Sequence, residues 1–127
     1  MIISRRLEKI MANVVSWFDI PVSDMARAVR FYEAVTQKKL ERKKVMEGKE
    51  TALLGDDGCL FQAPEDQPSH FGSRVYLNAV PSIDAALKRV EGAGGKTLVP
   101  RTSTGGHGYY AYFEDTEGNR VGLHAHQ

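Results

Sequence analysis

Two stretches of the chain carry apolar residues at the spacing of one helix face, i, i+3, i+4 and i+7. In "SDMARAVRFYEAV" these positions are Met25, Ala28, Val29 and Tyr32. In "SIDAALKRVEGAGG" they are Ile83, Ala86, Leu87 and Val90, each 58 residues after its counterpart. Ser23 and Ser82 stand where an N-cap is needed, and the glycines of "GAGG" suit the end of the second helix. The pattern predicts two related amphipathic helices.

Strand-like runs surround both helices in the same order. One precedes each helix, "VVSWFDIPV" and "SRVYLNAV". Three follow each helix: "KLERKKVM", "ETALLG" and "CLFQA" after the first, and "KTLVPRT", "YYAYFE" and "RVGLHAH" after the second. A single βαβββ unit is too small to bury its own sheet and helix, so two units are expected to share a core. The alternative is an unrelated α+β sandwich with two coincident helices.

The repeat therefore predicts one α+β domain at 13–127, built from two βαβββ modules at about 13–63 and 72–126. Residues 1–12 are predicted to be an N-terminal extension, either a short amphipathic helix or sequence upstream of a start at Met11. The acidic run at 114–117 is interpreted as a solvated turn.

Composition narrows the classes of partner. The net charge is +1, so the chain has no strong field for nucleic acid or an anionic membrane surface. No apolar run approaches the ~20 residues of a membrane span, and we expect a cytoplasmic protein. The single cysteine, Cys59, is expected to be a small core residue. The basic runs at 38–39 and 42–44 are interpreted as the solvent side of a strand.

The segment from Asn13 to His126 resembles the vicinal oxygen chelate superfamily, which includes glyoxalases, bleomycin-resistance proteins and extradiol dioxygenases. The resemblance lies in "WFDIPVSDMARAVRFYEAV", "VYLNAVPSIDAALKRVEGAGGKTLVP" and "EDTEGNRVGLH". It implies a cupped, open-sided mixed-sheet barrel of two βαβββ modules, usually completed by a second copy as a homodimer. A small-molecule ligand would occupy the cavity. In metal-dependent members, inward His, Glu or Gln side chains bind a divalent ion that chelates two substrate oxygens.

The resemblance places the four metal-ligand positions at Trp17, Gln62, Val75 and Gly122. Only Gln62 has a donor atom, and one neutral amide cannot replace the hydration shell of a hard divalent ion. We therefore expect no metal cofactor at the usual site. A weaker alternative set is Asp19, Gln62 and His124, because residues two apart on a strand share a face.

His107 is a further candidate, since three glycines surround it in "STGGHGYY" and the segment suits either a lid or a plain surface loop. The candidate pocket residues are Trp17, Asp19, Gln62, Val75, His107, Gly122 and His124. His126 is expected to lie beyond the sheet.

No catalytic residue is assigned, and whether the protein is an enzyme stays open. The favoured function is binding of a small organic molecule with the usual metal site degraded. One alternative is a divalent-metal-dependent glyoxalase-like lyase or dioxygenase. Another is a non-catalytic interaction domain whose exposed sheet edge pairs with a partner protein.

Overall fold

The computed structural model describes residues 5, 14–46 and 48–127. The predicted extension at 1–12 thus lies outside the described residues, except for Arg5. In chain order the elements are β1 (Phe18–Pro21), α1 (Met25–Thr36), β2 (Arg42–Met46), β3 (Lys49–Leu53), β4 (Gly58–Gln62), β5 (Tyr76–Asn78), α2 (Ile83–Gly92), β6 (Lys96–Ser103), β7 (Tyr109–Glu114) and β8 (Arg120–Ala125).

The strands form two four-stranded mixed sheets, ordered β1-β4-β3-β2 and β5-β8-β7-β6. The pairs β1–β4 and β5–β8 are parallel, and the other pairs in each sheet are antiparallel. Identical order in both halves confirms the α+β class and the two βαβββ modules. Over the described residues the two sheets are not joined into a closed barrel, which agrees with the predicted open side.

Local capping explains where the helices begin and end. In α2 the Ser82 side chain accepts a hydrogen bond from the backbone N–H of Ala85 at 3.1 Å, as predicted. The prediction for α1 is wrong by one residue, because its N-cap is Asp24, whose carboxylate accepts from Arg27 N at 3.1 Å. Ser23 is instead held by the second module. After α2, Gly94 adopts φ +100°, a left-handed conformation that glycine accepts without strain.

The core runs through both modules. All eight residues of the repeated helical pattern are buried, and they pack with apolar residues of both sheets, including Ala52, Leu60, Ala111, Phe113 and Leu123. One face of each sheet is therefore covered by the helices. We call the opposite faces the open faces. Because side chains alternate along a strand, the open face of the second sheet includes Tyr76, Tyr110, Tyr112, Arg120, Gly122 and His124.

The turn between β7 and β8 joins the two modules, and it is not solvated as the sequence suggested. Asp115 and Glu117 are 3% and 9% exposed. The Glu117 carboxylate accepts hydrogen bonds from the backbone N–H groups of Ser23 and Asp24 at 2.9 and 2.8 Å, and from Arg27 Nε at 2.6 Å. An anion at a helix N-terminus compensates its free N–H groups and its dipole. The prediction of a solvated turn is therefore wrong, because the first module supplies the donors that allow the Glu117 carboxylate to be buried.

Burial and hydrogen bonding shift the pKa values of the two carboxyl groups in this turn in opposite directions. Burial raises the pKa of Glu117, but donors on Arg27, Asp24 and Ser23 outweigh it and lower the pKa to about 2. Burial raises the pKa of Asp115, only partly offset by hydrogen bonds from Tyr32 and Asn119. Tyr32 Oη donates to Asp115 at 2.7 Å from α1, so this contact also links the modules.

Each sheet has two edge strands, β1 and β2 in the first sheet and β5 and β6 in the second. The β2 strand carries exposed cationic side chains at Arg42, Lys43 and Lys44. The β6 strand contains Pro100, and its pairing with β7 shifts register twice. Among the described residues, no helix has the length and apolar character needed to cross a membrane.

Candidate functional site

A shallow cleft of about 100 Å³ lies where the modules meet. Its walls come from β1, the segment at 67–75 and the start of β8, and they include Asp19, Phe71, Val75 and Arg120. Pockets for drug-sized ligands usually measure roughly 300–1,000 Å³. The cleft alone is therefore one part of a binding surface, and the adjoining open faces would supply the rest.

Trp17, Asp19 and Cys59 form a small cluster on the open face of the first sheet. The Trp17 indole N–H donates to Asp19 Oδ1 at 2.9 Å, and the Cys59 thiol donates to the same oxygen at 3.2 Å. Burial, followed by the contact with Asp19, raises the pKa of Cys59 to about 12. Cys59 is thus a protonated thiol at neutral pH, which agrees with the expected core residue and not with a nucleophile.

Gln62 points away from the cleft. Its Oε1 accepts a hydrogen bond from Met25 N at 2.9 Å, at the first turn of α1. The neighbouring core residue Leu60 is fully buried on the helix-covered face, and residues two apart share a face. The side chain therefore caps a helix, and the structure does not bring it together with Asp19 or His124.

Gly122 lies beneath an aromatic ring. It is the β8 partner of Tyr76, and a Cβ atom added at Gly122 would lie 2.4 Å from Tyr76 Cδ2. Side chains essentially never approach this closely, so the ring occupies the space into which a metal ligand at position 122 would project. Val75 is half-buried beside it, packs against the core and lines the cleft.

His124 and His107 lie together at the far end of β8. His124 Nε2 is 2.7 Å from the backbone oxygen of His107. The ring of His124 also meets that of His126 edge-on, with centroids 5.1 Å apart. His126 follows the last residue of β8, as expected. Neither His107 nor His124 lines the cleft.

A cluster that the sequence interpretation largely missed occupies the open face of the second sheet. We call it the tyrosine–arginine cluster, and it consists of Arg74, Tyr76, Tyr110, Tyr112 and Arg120. The hydroxyls of Tyr76 and Tyr112 are 2.8 Å apart, and the ring centroids of Tyr110 and Tyr112 are 5.2 Å apart. The Arg74 guanidinium lies 4.4 Å from the Tyr112 ring centroid.

Strand periodicity could have revealed this cluster. In "YYAYFE" the residues Tyr110 and Tyr112 are two apart, and in "RVGLH" so are Arg120 and Gly122. Cross-strand pairing then places Tyr76, Gly122 and Tyr112 side by side. Tyrosine is also a common core residue in strands, so the alternation alone does not distinguish an exposed aromatic face from a buried one.

The side chains at the four usual ligand positions do not form a set of donors that could hold a metal ion. Within the part of the chain that the structure describes, no three His, Cys, Asp or Glu side chains are grouped closely enough to hold a metal ion. Of the alternative set, Asp19 bonds to Trp17 and Cys59, Gln62 to Met25 N, and His124 to His107 O. These three side chains therefore have separate partners.

Comparison with known proteins identifies the family. The family model described as Glyoxalase/Bleomycin resistance protein/Dioxygenase superfamily matches residues 14–123. No curated protein gave a significant match.

Solved structures share the fold. A hypothetical protein from S. aureus aligns with a TM-score of 0.62 at 18% identity, covering 89% of this chain and 94% of that one. A glyoxalase I mutant from Zea mays aligns with a TM-score of 0.68 at 22% identity, covering 87% of this chain but 45% of the maize chain. The fosfomycin resistance protein FosX from Listeria monocytogenes gives 0.63 at 18% identity, covering 91% and 92%. At such identities the likeness establishes the fold alone.

Proposed function

We propose that this chain, which belongs to the Glyoxalase/Bleomycin resistance protein/Dioxygenase superfamily, binds a small organic molecule on the open face of its second sheet. The observation that carries the proposal is the tyrosine–arginine cluster. Tyr76 is 47% exposed although its ring is held in place by Tyr112 and by the floor at Gly122. Fixed, exposed rings with hydroxyl groups at their edges suit a flat ligand that stacks and accepts hydrogen bonds.

We further propose that this face works without a tightly held metal. Three features support this: the Gln62 amide bonds to α1, the Tyr76 ring covers Gly122, and Trp17 and Val75 offer no oxygen or imidazole donor. A second copy of the chain is proposed to cover the open faces, because the cleft is too small to enclose a ligand and Trp17 is 46% exposed beside it.

A thermal-shift screen of flat small molecules tests ligand binding. A ligand at 100 times its Kd is expected to stabilise the wild-type protein by about 2.7 kcal/mol, on the order of 10 °C in Tm. The same screen on Tyr112→Leu should show no shift for that ligand. Tyr109→Leu is the matched control, because Tyr109 packs on the helix-covered face of the same strand. Equal shifts in both variants would contradict binding at the open face.

Native mass spectrometry of the purified protein tests metal content and assembly in one measurement. We expect the mass of two chains with no retained metal ion, and the same result for Asp19→Ala and His124→Ala. A stoichiometric zinc, nickel or iron ion that is lost in both variants would overturn the metal-free proposal. The mass of a single chain at micromolar concentration would overturn the proposed homodimer and leave the ligand proposal to its own test.

A further inference from the structure

Within the described part of the chain, the two arginines of the tyrosine–arginine cluster form no ion pair with an acidic side chain. The Arg74 and Arg120 guanidinium carbons lie 4.4 and 5.9 Å from the centroid of the same ring, that of Tyr112. Neither arginine belongs to any of the ion pairs formed among the described residues. Two cations placed beside one ring without an anion repel each other, so the arrangement favours an anion that binds to both.

Of the two arginines, Arg120 gives the stronger evidence for a bound anion. Its Nε atom is buried and has no hydrogen-bond partner among the described residues. A buried donor without an acceptor costs free energy, and proteins rarely keep one without a reason. The cross-strand neighbour Glu114 is not its partner, since Glu114 Oε2 lies 2.6 Å from His70 Nε2 and Arg120 Nε bonds to neither Glu114 oxygen.

The Asp19 carboxylate, which lines the cleft, bonds to two other side chains. Asp19 Oδ1 already accepts the Trp17 indole and the Cys59 thiol. No acceptor for the Arg120 Nε–H is therefore present among the described residues, and an anionic ligand would supply one. Arginine presents two parallel N–H groups that match the two oxygens of a planar oxyanion.

We propose that the ligand is a small organic acid, in which a carboxylate bonds to Arg120 and Arg74 while an attached flat carbon framework stacks on Tyr112. This inference rests on the proposed function and names the class of ligand for the same site. The Tyr76 and Tyr112 hydroxyls stand at the ring edge, where one O–H bonds to the other hydroxyl and the second O–H is a further donor to the carboxylate.

Benzoate and its neutral isostere benzamide are the probes. Isothermal titration of the wild-type protein should give a Kd for benzoate at least about ten-fold below that for benzamide, because the charge-assisted contacts exist only for benzoate. Arg120→Gln and Arg74→Gln should each remove most of this preference, so that the Kd for benzoate rises toward the Kd for benzamide. Either variant that still folds is sufficient for the test.

Arg101→Gln is the matched control. Its guanidinium lies 3.7 Å from the ring centroid of Tyr109, on the helix-covered side of the same sheet. The substitution removes the same charge and the same type of cation–ring contact, so benzoate affinity should stay within about two-fold of wild type. Asp19→Asn should tighten benzoate binding by about two- to five-fold through loss of repulsion in the cleft.

The outcomes separate this inference from the function on which it rests. Equal affinity for benzoate and benzamide, with both abolished in Tyr112→Leu, would overturn the organic-acid inference and retain a flat-ligand site. Binding of neither probe, together with a ligand screen without hits, would overturn both. A benzoate preference that survives Arg120→Gln and Arg74→Gln would overturn the assignment of the anion to these arginines.

Discussion

Replacing Glu117 with alanine is expected to lower the free energy of unfolding by about 3 kcal/mol, since the loss of one member of a buried, hydrogen-bonded charge set leaves its partners unpaired. The Glu117 side chain has no exposed surface. Its removal frees the first N–H groups of the α1 region at Ser23 and Asp24 and leaves Arg27 without its carboxylate. Urea denaturation followed by circular dichroism measures the change.

Glu114→Ala is the matched control for Glu117→Ala. Glu114 lies three residues earlier, and its contact with His70 joins two partly exposed side chains, 38% and 37% exposed. Such pairs contribute at most about 1 kcal/mol. If the two alanine variants lose the same stability, the buried turn does not hold the modules together as described.

Acid should weaken the same contact. The pKa of Glu117 in the folded protein is about 2, below its ordinary 4.5, so its carboxylate contributes stability that is complete above about pH 4.5 and is lost as the pH falls toward 2. Asp115 changes the stability in the opposite direction. Its pKa is raised in the folded protein, so the folded state binds a proton more tightly than the unfolded state and gains stability as the pH falls. Asp115 is present in both the wild type and Glu117→Gln. The wild type should therefore lose more stability than Glu117→Gln between pH 4.5 and 2, and parallel curves would contradict this account.

Gly108→Ala is expected to destabilise the protein by about 3 kcal/mol, as the sum of about 1–2 kcal/mol for a left-handed alanine and a similar amount for overpacking. Gly108 has φ +91°, and a Cβ atom there would lie 2.3 Å from the carbonyl oxygen of Ala125. Backbone atoms supply that contact, so no side-chain rotation can relieve it. Thermal unfolding of the variant measures the loss.

Gly105→Ala isolates the clash from the conformational strain. Gly105 lies in the same loop with φ +83°, but no atom lies within 4 Å of its added Cβ. Its alanine variant should lose only about 1–2 kcal/mol. Equal losses at positions 105 and 108 would mean that the loop is not packed against the end of β8, and that the contact between His124 and His107 is not held by it.

The fold was predictable because its repeat is carried by side-chain periodicity, which needs no long-range information. The positions that define the helical pattern are the same ones that lie in the core. The lengths of the first strands were less predictable. Val14 and Val15 have high β propensity, yet they are exposed and lie before β1, because no described surface packs against them.

The site was harder to predict because one residue of register moves a side chain to the opposite face. Counting four residues from the turn glycines Gly58 and Gly118 leads to Gln62 and Gly122. Gly122 does lie on the open face, opposite Leu123 in the core. Gln62 lies on the helix-covered face, two residues from Leu60. The same count of four residues therefore leads to opposite faces of the two sheets, and only the strand pairing shows this difference.

The buried turn was missed for a related reason. An acidic run with a glycine is typical of solvated turns, and nothing local indicates that the donors for Glu117 lie 94 and 90 residues away, at Ser23 and Arg27. The roles of Trp17, Asp19, Val75, His107 and His124 in ligand binding stay predictions. Of these, only Asp19 and Val75 lie in the cleft.

The four edge strands have a consequence for how the protein can associate. A free strand edge is a template on which another chain can extend the sheet, and charge, proline or a very short strand obstructs such additions. The β2 edge presents Arg42, Lys43 and Lys44, and β6 is interrupted at Pro100. The other two edges, β1 and β5, are only 4 and 3 residues long. Recruitment of a partner strand, and fibril growth by the same route, are therefore disfavoured at each of these edges.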